Sequence, residues 1–390
     1  MEFYSMAFIK FKGEQLFDGY HLLNDKVLIC SEEGEVIDLV DSADAGEEVN
    51  ELEGIISPGF INCHCHLELS HMKGRIMEES GLVDFVYGII TQRHSSMEEM
   101  LDAIDKAETE MLDQGIVAVG DICNNNITAA QKQKGRLYYH NFIEASGVLP
   151  ELAPVRFQHS VDLFREFSLQ YSIPVESNSI VPHAPYSVST ELWESIIHFP
   201  GNHLFSIHNQ ETEAENEWFR NKSGEFNRLY SQINVDTSSF QPTGKSSLRS
   251  YLPRFLRNQS LILVHNVHTH EDDLQFSKTF SSDNEISWCL CPNANWYISR
   301  KIPPLDSLMQ NDCRIVLGTD SLASNYQLSI MAEISRLQEH FPHVSLETML
   351  RWATTNGAKA LQLDQLLGSF EKGKRPGVVV IKDGNAMRIL

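Results

Sequence analysis

Short apolar runs recur along this chain, each ending in a polar residue and each followed by a segment long enough for a helix. GIISPGFINCHCH (54–66) is the first. IVAVGDI (116–122), LYYHNFIEASG (137–147), SIVPHAPYS (179–187), HLFSIHNQE (203–211), SLILVHNVH (260–268), EISWCLCPN (285–293) and CRIVLGTDS (313–321) follow. They make eight candidate strands, and after the fourth Ser189 or Thr190 stands where a helix N-cap is needed. Strands alternating with helices predict a parallel sheet with right-handed crossovers. Eight such units over about 300 residues fit an α/β fold of the (β/α)8 TIM-like barrel type better than an open sheet.

The pattern changes at both ends. Up to residue 57 the runs are short and separated by Gly-rich or polar turns: Met6–Phe11, Lys26–Cys30 and Glu35–Leu39. The closing stretch GKRPGVVVIKDGNAMRIL is again strand-like, with Val378–Ile381 held between Gly377 and Gly384. We therefore expect residues 1–57 and 364–390 to form one small sheet domain around a barrel of residues 58–363. Residues 212–257 read as a long, polar, poorly periodic insertion after the fifth strand, a length that is often functional.

Composition narrows the partners. A net charge of −22 argues against nucleic acid or an anionic membrane surface, both of which require clustered Lys and Arg. No apolar run approaches a membrane span, and MEFYSMAFIKFKGEQL lacks the basic-then-apolar order of a secretory signal. The seven cysteines are odd in number, with two C-x-C pairs inside apolar runs. They read as reduced, buried thiols of a cytoplasmic protein rather than as a disulfide framework.

Chemistry enters through the polar residues that end the runs. His66, His183, His208, His265 and Asp320 each close an apolar run, and in a parallel barrel those ends meet on the face where active sites are built. The first run raises its own question, because INCHCHLE alternates cysteine with histidine. On a strand the histidines share one face and the cysteines the other, so a tetrahedral site from all four is excluded. Three imidazoles and a carboxylate hold a borderline-soft ion and leave room for a water, whose pKa such an ion lowers to about 7. His64 and His66 are placed to grip one divalent metal ion, with His208 and Asp320 closing the site; Cys63 and Cys65 then face packing. Zinc is the expected ion, and iron suits the same ligands.

Glu211, three residues past His208, is placed to carry a proton from the water to a leaving group. His265 is placed either to orient the water or to polarise the scissile centre of the substrate, and His183 to do either or simply to meet substrate. Glu213 and Glu215 read as a solvated acidic run. Glu68 is a candidate substrate contact, and Trp218, beside Phe219 in the insertion, a candidate lid contact.

These motifs resemble the amidohydrolase superfamily, in its branch of heterocycle deaminases and triazine chlorohydrolases. The resemblance covers nearly the whole chain and rests on PGFINCHCHLELSH (58–71), VPHAPYSVS (181–189), IHNQETEAE (207–215), LVHNVHTHEDDL (263–274), CPNAN (291–295) and GTDSLASN (318–325). It implies one zinc or iron ion on His64, His66, His208 and Asp320. It further implies Glu211 as proton shuttle, His265 and Asp320 as the groups acting on the water, and His183 against substrate. It also implies that the small domain is a composite β-sandwich, and that the protein removes ammonia from an amino-substituted heterocycle, purine or nucleoside-like. HLELS is most like the aminodeoxyfutalosine-deaminase group. Two departures stand out: Lys73 where relatives often carry Arg, and Pro376-Gly377 where an Ala-Asp pair is usual. No strand-end lysine suits a carbamylated bridge, and Glu144 ends the third run, which favours a single metal.

The alternatives are hydrolysis of another C–N or C–Cl bond in a small ring (an imidazolone-type lactam or a chlorotriazine), or a catalytically silent barrel used for binding. A silent barrel has no physical reason to keep so costly a polar cluster. The expected partner is a small heterocyclic substrate, and a homodimer is the common assembly for such a chain.

Overall fold

The computed structural model describes residues 8–281 and 284–390. Of the first expected run, Met6 and Ala7 lie outside the described residues. The N-terminal segment gives β1 (Phe8–Lys12), β2 (Gln15–Phe17), β3 (Leu22–Leu23), β4 (Lys26–Ser31), β5 (Val36–Asp41), β6 (Val49–Glu51) and β7 (Ile55–Pro58). The middle of the chain contributes β8 (Phe60–Cys65), β9 (Ile116–Cys123), β10 (Tyr138–Ala145) and β11 (Asn178–Pro182). It continues with β12 (Leu204–Asn209), β13 (Ser260–His265), β14 (Ile286–Leu290) and β15 (Arg314–Leu317), and the chain ends in β16 (Val378–Lys382) and β17 (Asn385–Arg388).

Strands β8 to β15 fall where the eight apolar runs fall. They build two four-stranded parallel sheets, ordered β11-β10-β9-β8 and β12-β13-β14-β15. Hydrogen bonds join the sheets at both seams near the C-terminal ends of the strands. His208 N donates to His183 O at 3.0 Å, and Thr319 N and Asp320 N donate to His64 O at 3.1 and 3.0 Å. The helices lie between successive strands, giving a TIM-barrel-type α/β fold. Ser189, Ser329 and Ser345 cap theirs, each accepting from the backbone N–H three residues on. No helix among the described residues is long and apolar enough to cross a membrane.

The chain ends meet in two further sheets. One has the order β5-β4-β1-β6; the other, β17-β16-β7-β2-β3, places the C-terminal hairpin against N-terminal strands. Phe11, Leu28 and Cys30 of the first sheet share an apolar core with Leu16, Ile56 and Val378 of the second.

The run 54–66 is two strands rather than one. β7 pairs with β16, from Val378 opposite Pro58 to Ile381 opposite Ile55, whereas β8 pairs with β9. Gly59 turns the chain between them, where a Cβ would stand 2.3 Å from Val117 Cγ1 and 2.6 Å from Pro376 O. Apolar character cannot mark a switch between two buried sheets, so the hydrophobic pattern runs through it unbroken.

The insertion 212–257 is also more ordered than its polarity suggests. It carries helices Glu213–Asn221, Phe226–Gln232 and Ser247–Tyr251, and it buries Trp218, Phe219, Phe226 and Leu229. Its apolar residues are spread over three short helices among many polar and acidic ones, so the stretch as a whole reads as polar.

Candidate active site

The C-terminal ends of β8, β12, β13 and β15 converge. His64 sits in an irregularity of β8: Asn62 is opposite Val119 and Cys65 opposite Asp121, so Cys63 and His64 together face Gly120. Such a bulge re-aims side chains at a strand end. His66 follows the last residue of the strand. The two rings converge, with centroids 4.9 Å apart. Cys63 and Cys65 are buried among apolar side chains.

One ring nitrogen from each of His64, His66 and His208 lies within 4.8 Å of the others. His66 Nε2 and His208 Nε2 are 3.3 Å apart, and Asp320 Oδ1 is 3.6 Å from His64 Nε2 and 3.5 Å from His66 Nε2. His208 donates its Nδ1 proton to His183 O at 2.8 Å, which leaves the Nε2 lone pair pointing into the cluster. Burial, then the neighbouring His183 and His64, pull the His208 imidazole down to about 3; burial likewise takes His66 well below the usual range. Both rings are therefore neutral, the form that ligates a metal. Burial raises the Asp320 carboxyl, but the imidazoles of His64, His66 and His265 hold it well below the usual range and so ionised. Ser324 Oγ donates to Asp320 Oδ2 at 2.6 Å.

These residues fit a divalent ion. His64 is wholly buried, and neither of its ring nitrogens has a hydrogen-bond partner. An orphaned buried polar atom costs roughly 1–3 kcal/mol unless something takes its lone pair. Three imidazoles and one ionised carboxylate are a donor set for zinc or iron.

Glu211 and His265 border the cluster, with His265 Nε2 3.6 Å from Glu211 Oε1. On its other side His265 Nδ1 lies 3.0 Å from the Asn295 side-chain amide nitrogen, which donates and leaves the ring proton on Nε2, toward Glu211. Burial, with Asp320 and Glu215 adding to it, pushes the Glu211 carboxyl well above the usual range. Backbone strain marks the same ends: Gln210, His265, Asn266 and Asp320, none a glycine, have φ of 45°, 75°, 61° and 55°.

A cavity of about 340 Å³ opens onto the cluster and is lined by His66, Glu68, His183, His208, Glu211, His265 and Asp320 among others. The structure thus brings together every candidate residue except Trp218. That indole is buried in the insertion, stacked 4.9 Å from Phe240, and lines a separate cavity. Its helix is amphipathic and turns the indole inward to pack the insertion; the contacts to the site cavity come from Leu229, Tyr230, Ile233 and Val235. Glu215 needs correction as well. It is fully buried and accepts from Gln210 N at 3.1 Å, so it braces the strained turn before Glu211.

Glu144 and Asn124 escaped attention as a pair: Asn124 donates its backbone N–H to Glu68 and its side-chain amide to Glu144. Asn295 and Ser324 stood inside quoted motifs, but only their contacts reveal what they hold. Leu82, Phe85, Val86 and Ile89 form an apolar cavity wall, though their helical spacing reads as an ordinary core face.

Strand-end imidazoles and a carboxylate around one point, with a buried acid beside them and a cavity above, make this a metal-dependent hydrolase by construction. The chain belongs to the Amidohydrolase family, whose sequence profile matches residues 55–389. It is 27% identical over 337 residues to an adenosine deaminase of Helicobacter pylori, covering 84% of this chain and 78% of that protein. Among solved structures it resembles the Helicobacter pylori aminofutalosine deaminase in complex with methylthio-coformycin, with a TM-score of 0.79, 22% identity and coverage of 96% and 93%. A zinc-bound adenosine deaminase from Xanthomonas campestris superposes with a TM-score of 0.73 at 20% identity, covering 96% of this chain and 84% of that one.

Proposed function

We propose that this protein is a hydrolytic deaminase, removing ammonia from the amine-bearing ring carbon of a purine nucleoside or a related heterocycle. One observation carries the reading: a buried carboxyl, Glu211, stands beside a convergent set of three imidazoles and an ionised carboxylate, inside a cavity of ligand size. The deaminase relatives support the reaction class. Residues 58–363 form the catalytic unit, a closed eight-stranded barrel; residues 1–57 and 364–390 form the companion sandwich. Seven unpaired cysteines, six of them buried, support a reducing, cytoplasmic setting.

His64, His66, His208 and Asp320 would hold one ion, zinc or iron by the chemistry of the donors. When bound, the ion polarises a water and brings its pKa to about 7. His265 donates from Nε2 to that water and fixes its approach. Glu211 takes the first proton and delivers it to the ring nitrogen next to the carbon under attack. The carbon becomes tetrahedral, bearing both the new hydroxyl and the amine. The hydroxyl proton then passes through Asp320 and Glu211 to the amine, the C–N bond breaks, and ammonia leaves a ring carbonyl behind. Both protons come from water, and both carboxylates end as they began. A carboxyl held above its usual range suits a proton in transit. His183, fixed by Ser187 Oγ at 2.7 Å from its Nδ1, faces the substrate from the fourth strand.

The test is ammonia release by zinc-loaded enzyme over adenosine, thio-substituted adenosines, guanine, cytosine and a chlorotriazine. One nucleoside should turn over at kcat/KM above about 10⁴ M⁻¹s⁻¹. Glu211→Gln should keep one metal per chain and lose several orders of magnitude in kcat. Near-normal turnover by that variant removes Glu211 from the role. Chloride release in place of ammonia transfers the site to the chlorotriazine reaction.

A further inference from the structure

Glu211 carries the proton in the reading above, yet among the described residues no side chain holds its carboxyl by a hydrogen bond. Its polar contact is His265 Nε2 at 3.6 Å, so its aim is set by the backbone that presents it. That backbone is strained. Gln210, between Asn209 and Glu211, has φ of 45°, in the left-handed region that a non-glycine residue keeps only where its surroundings over-determine it.

The Gln210 side chain supplies much of that determination. It is fully buried and does not line the site cavity, although His208 before it and Glu211 after it both do. Its Nε2 donates to Asn216 Oδ1 at 3.1 Å and to Asp273 Oδ2 at 2.9 Å. Its Oε1 accepts from Thr269 Oγ1 at 2.8 Å, with Asn209 Nδ2 3.5 Å from the same oxygen. Both amide protons and the amide oxygen are used, which leaves the side chain one orientation. The backbone is pinned as well: Gln210 N donates to Glu215 Oε1 at 3.1 Å, and Gln210 O accepts from His268 N at 2.8 Å.

These partners come from separate elements. Asn216 lies in the first helix of the insertion, Thr269 and His268 in the turn that follows His265, and Asp273 in the helix Glu271–Lys278. The far end of the insertion joins the same group, because Ser247 N donates to Asn216 Oδ1 at 3.0 Å and Ser246 Oγ donates to Asp273 Oδ1. One amide thus ties the insertion, which gives Leu229, Tyr230 and Ile233 to the cavity wall, to the turns that carry Glu211 and His265.

We propose that Gln210 is a positioning residue, whose side-chain hydrogen bonds hold the Glu211 carboxyl in its proton-transfer position beside His265. The proposal deepens the deaminase reading above and rests on it for the reaction affected. Deamination calls on Glu211 twice, once for the ring nitrogen and once for the departing amine. Chloride leaves without a proton, so a 6-chloropurine nucleoside calls on Glu211 once.

The experiment compares zinc-loaded wild type, Q210M and T269V on an aminopurine nucleoside and its 6-chloro counterpart. Methionine keeps most of the volume of Gln210 without its amide; T269V removes one donor and leaves Gln210 in place. Q210M should bind one zinc per chain with KM within about threefold of wild type, and its kcat for ammonia release should fall about a hundredfold, the cost of misplacing a reacting group by roughly 1 Å. Chloride release should fall less, by a margin of about tenfold. T269V should lower the ammonia-to-chloride ratio in the same direction by a smaller factor. Unchanged kcat in Q210M, or equal losses for the two leaving groups, overturns the proposal, since a general loosening slows both alike. Loss of zinc, or a loss confined to KM, overturns it too. Should Q210M fail to fold, the ratio in T269V decides. Should the wild type release neither ammonia nor chloride, the deaminase reading fails separately, and crystals of zinc-loaded wild type and T269V or Q210M decide the positioning role. A Glu211 carboxyl moved by more than about 1 Å over unmoved His64, His66 and His208 upholds it, and one left in place refutes it.

Discussion

Lys132→Met tests the buried charge pair beneath the candidate site. Lys132 Nζ lies 2.5 Å from Asp121 Oδ2 and 2.7 Å from Asn141 Oδ1, and the two charged side chains are 1% and 0% exposed. Burial alone would lower the ammonium's pKa; the Asp121 carboxylate reverses that and holds it above its ordinary value. The other Asp121 oxygen accepts from Leu67 N at 2.8 Å, so the pair also anchors the turn that follows His66. Methionine keeps most of the volume and removes the charge, leaving a buried carboxylate without its cation. The cost of breaking such a pair is about 3–5 kcal/mol. Unfolding entropy of about 2.1 cal/mol/K per residue over 390 residues gives roughly 0.8 kcal/mol/K, so Tm should fall by about 4–6 °C.

Asp121→Asn in the same chain removes the stranded charge. The double variant should therefore recover at least half of the loss, a coupling of about 2 kcal/mol. Scanning calorimetry of the four metal-loaded proteins measures both quantities. A drop under about 1 °C for Lys132→Met, or a double variant at the sum of the singles, would falsify the account of Asp121 as a carboxylate kept in place by Lys132.

Other variants probe the site from different sides. Ser324→Ala deletes the 2.6 Å donor to Asp320 Oδ2 and should weaken metal binding tenfold to a hundredfold in a chelator competition; unchanged affinity would separate Ser324 from the ligand set. Glu215 is fully buried, and burial raises its carboxyl to about 7, so the folded state holds a proton that the unfolded chain releases near 4.5. Its contribution is whole below about 4.5 and is lost as pH rises through 7, on the order of 3 kcal/mol. Melting Glu215→Gln beside wild type should show the variant gaining relative Tm between pH 5 and 7.5 (roughly the window above), and parallel curves would count against a buried neutral acid. Val86→Asp places a carboxylate in the apolar cavity wall and should raise KM for a thioalkyl nucleoside about tenfold with little change in kcat, whereas a loss confined to kcat would detach that wall from substrate binding.

The chemistry could be read from the chain because of where parallel strands put their ends. β9, β12 and β13 are almost wholly buried and therefore apolar, so a histidine or acid at the end of such a run stands out against it. His208, His265 and Asp320 were legible for that reason, and with them the face on which they meet. What stayed hidden depends on geometry that residue type does not encode. The break at Gly59 joins two buried strands, so no polar residue marks it. The irregularity at Cys63–His64 leaves the spelling of INCHCH unchanged, so the pairing of that strand with its neighbour could not be read from it. Glu215 was hidden by its company, because ETEAE looks solvated until the helix folds one acid of the run under Gln210. Trp218 misled for the opposite reason: a large aromatic in an insertion suggests a lid, but short helices need a core of their own.

Cost distinguishes the residues that serve the site from those that serve the fold. Strained φ at Gln210, His265, Asn266 and Asp320, an imidazole at His64 with no partner on either nitrogen, and buried carboxyls at Glu211 and Glu144 all lower stability. None of them packs the barrel better than a leucine or alanine would. They lie around one end of the barrel strands, whereas the sheet that holds the C-terminal hairpin includes ordinary apolar pairs such as Ile56 against Val380 and Leu16 against Leu23. An orphaned imidazole, strained strand ends and buried carboxyls brought together around one cavity are stability given up for binding and chemistry.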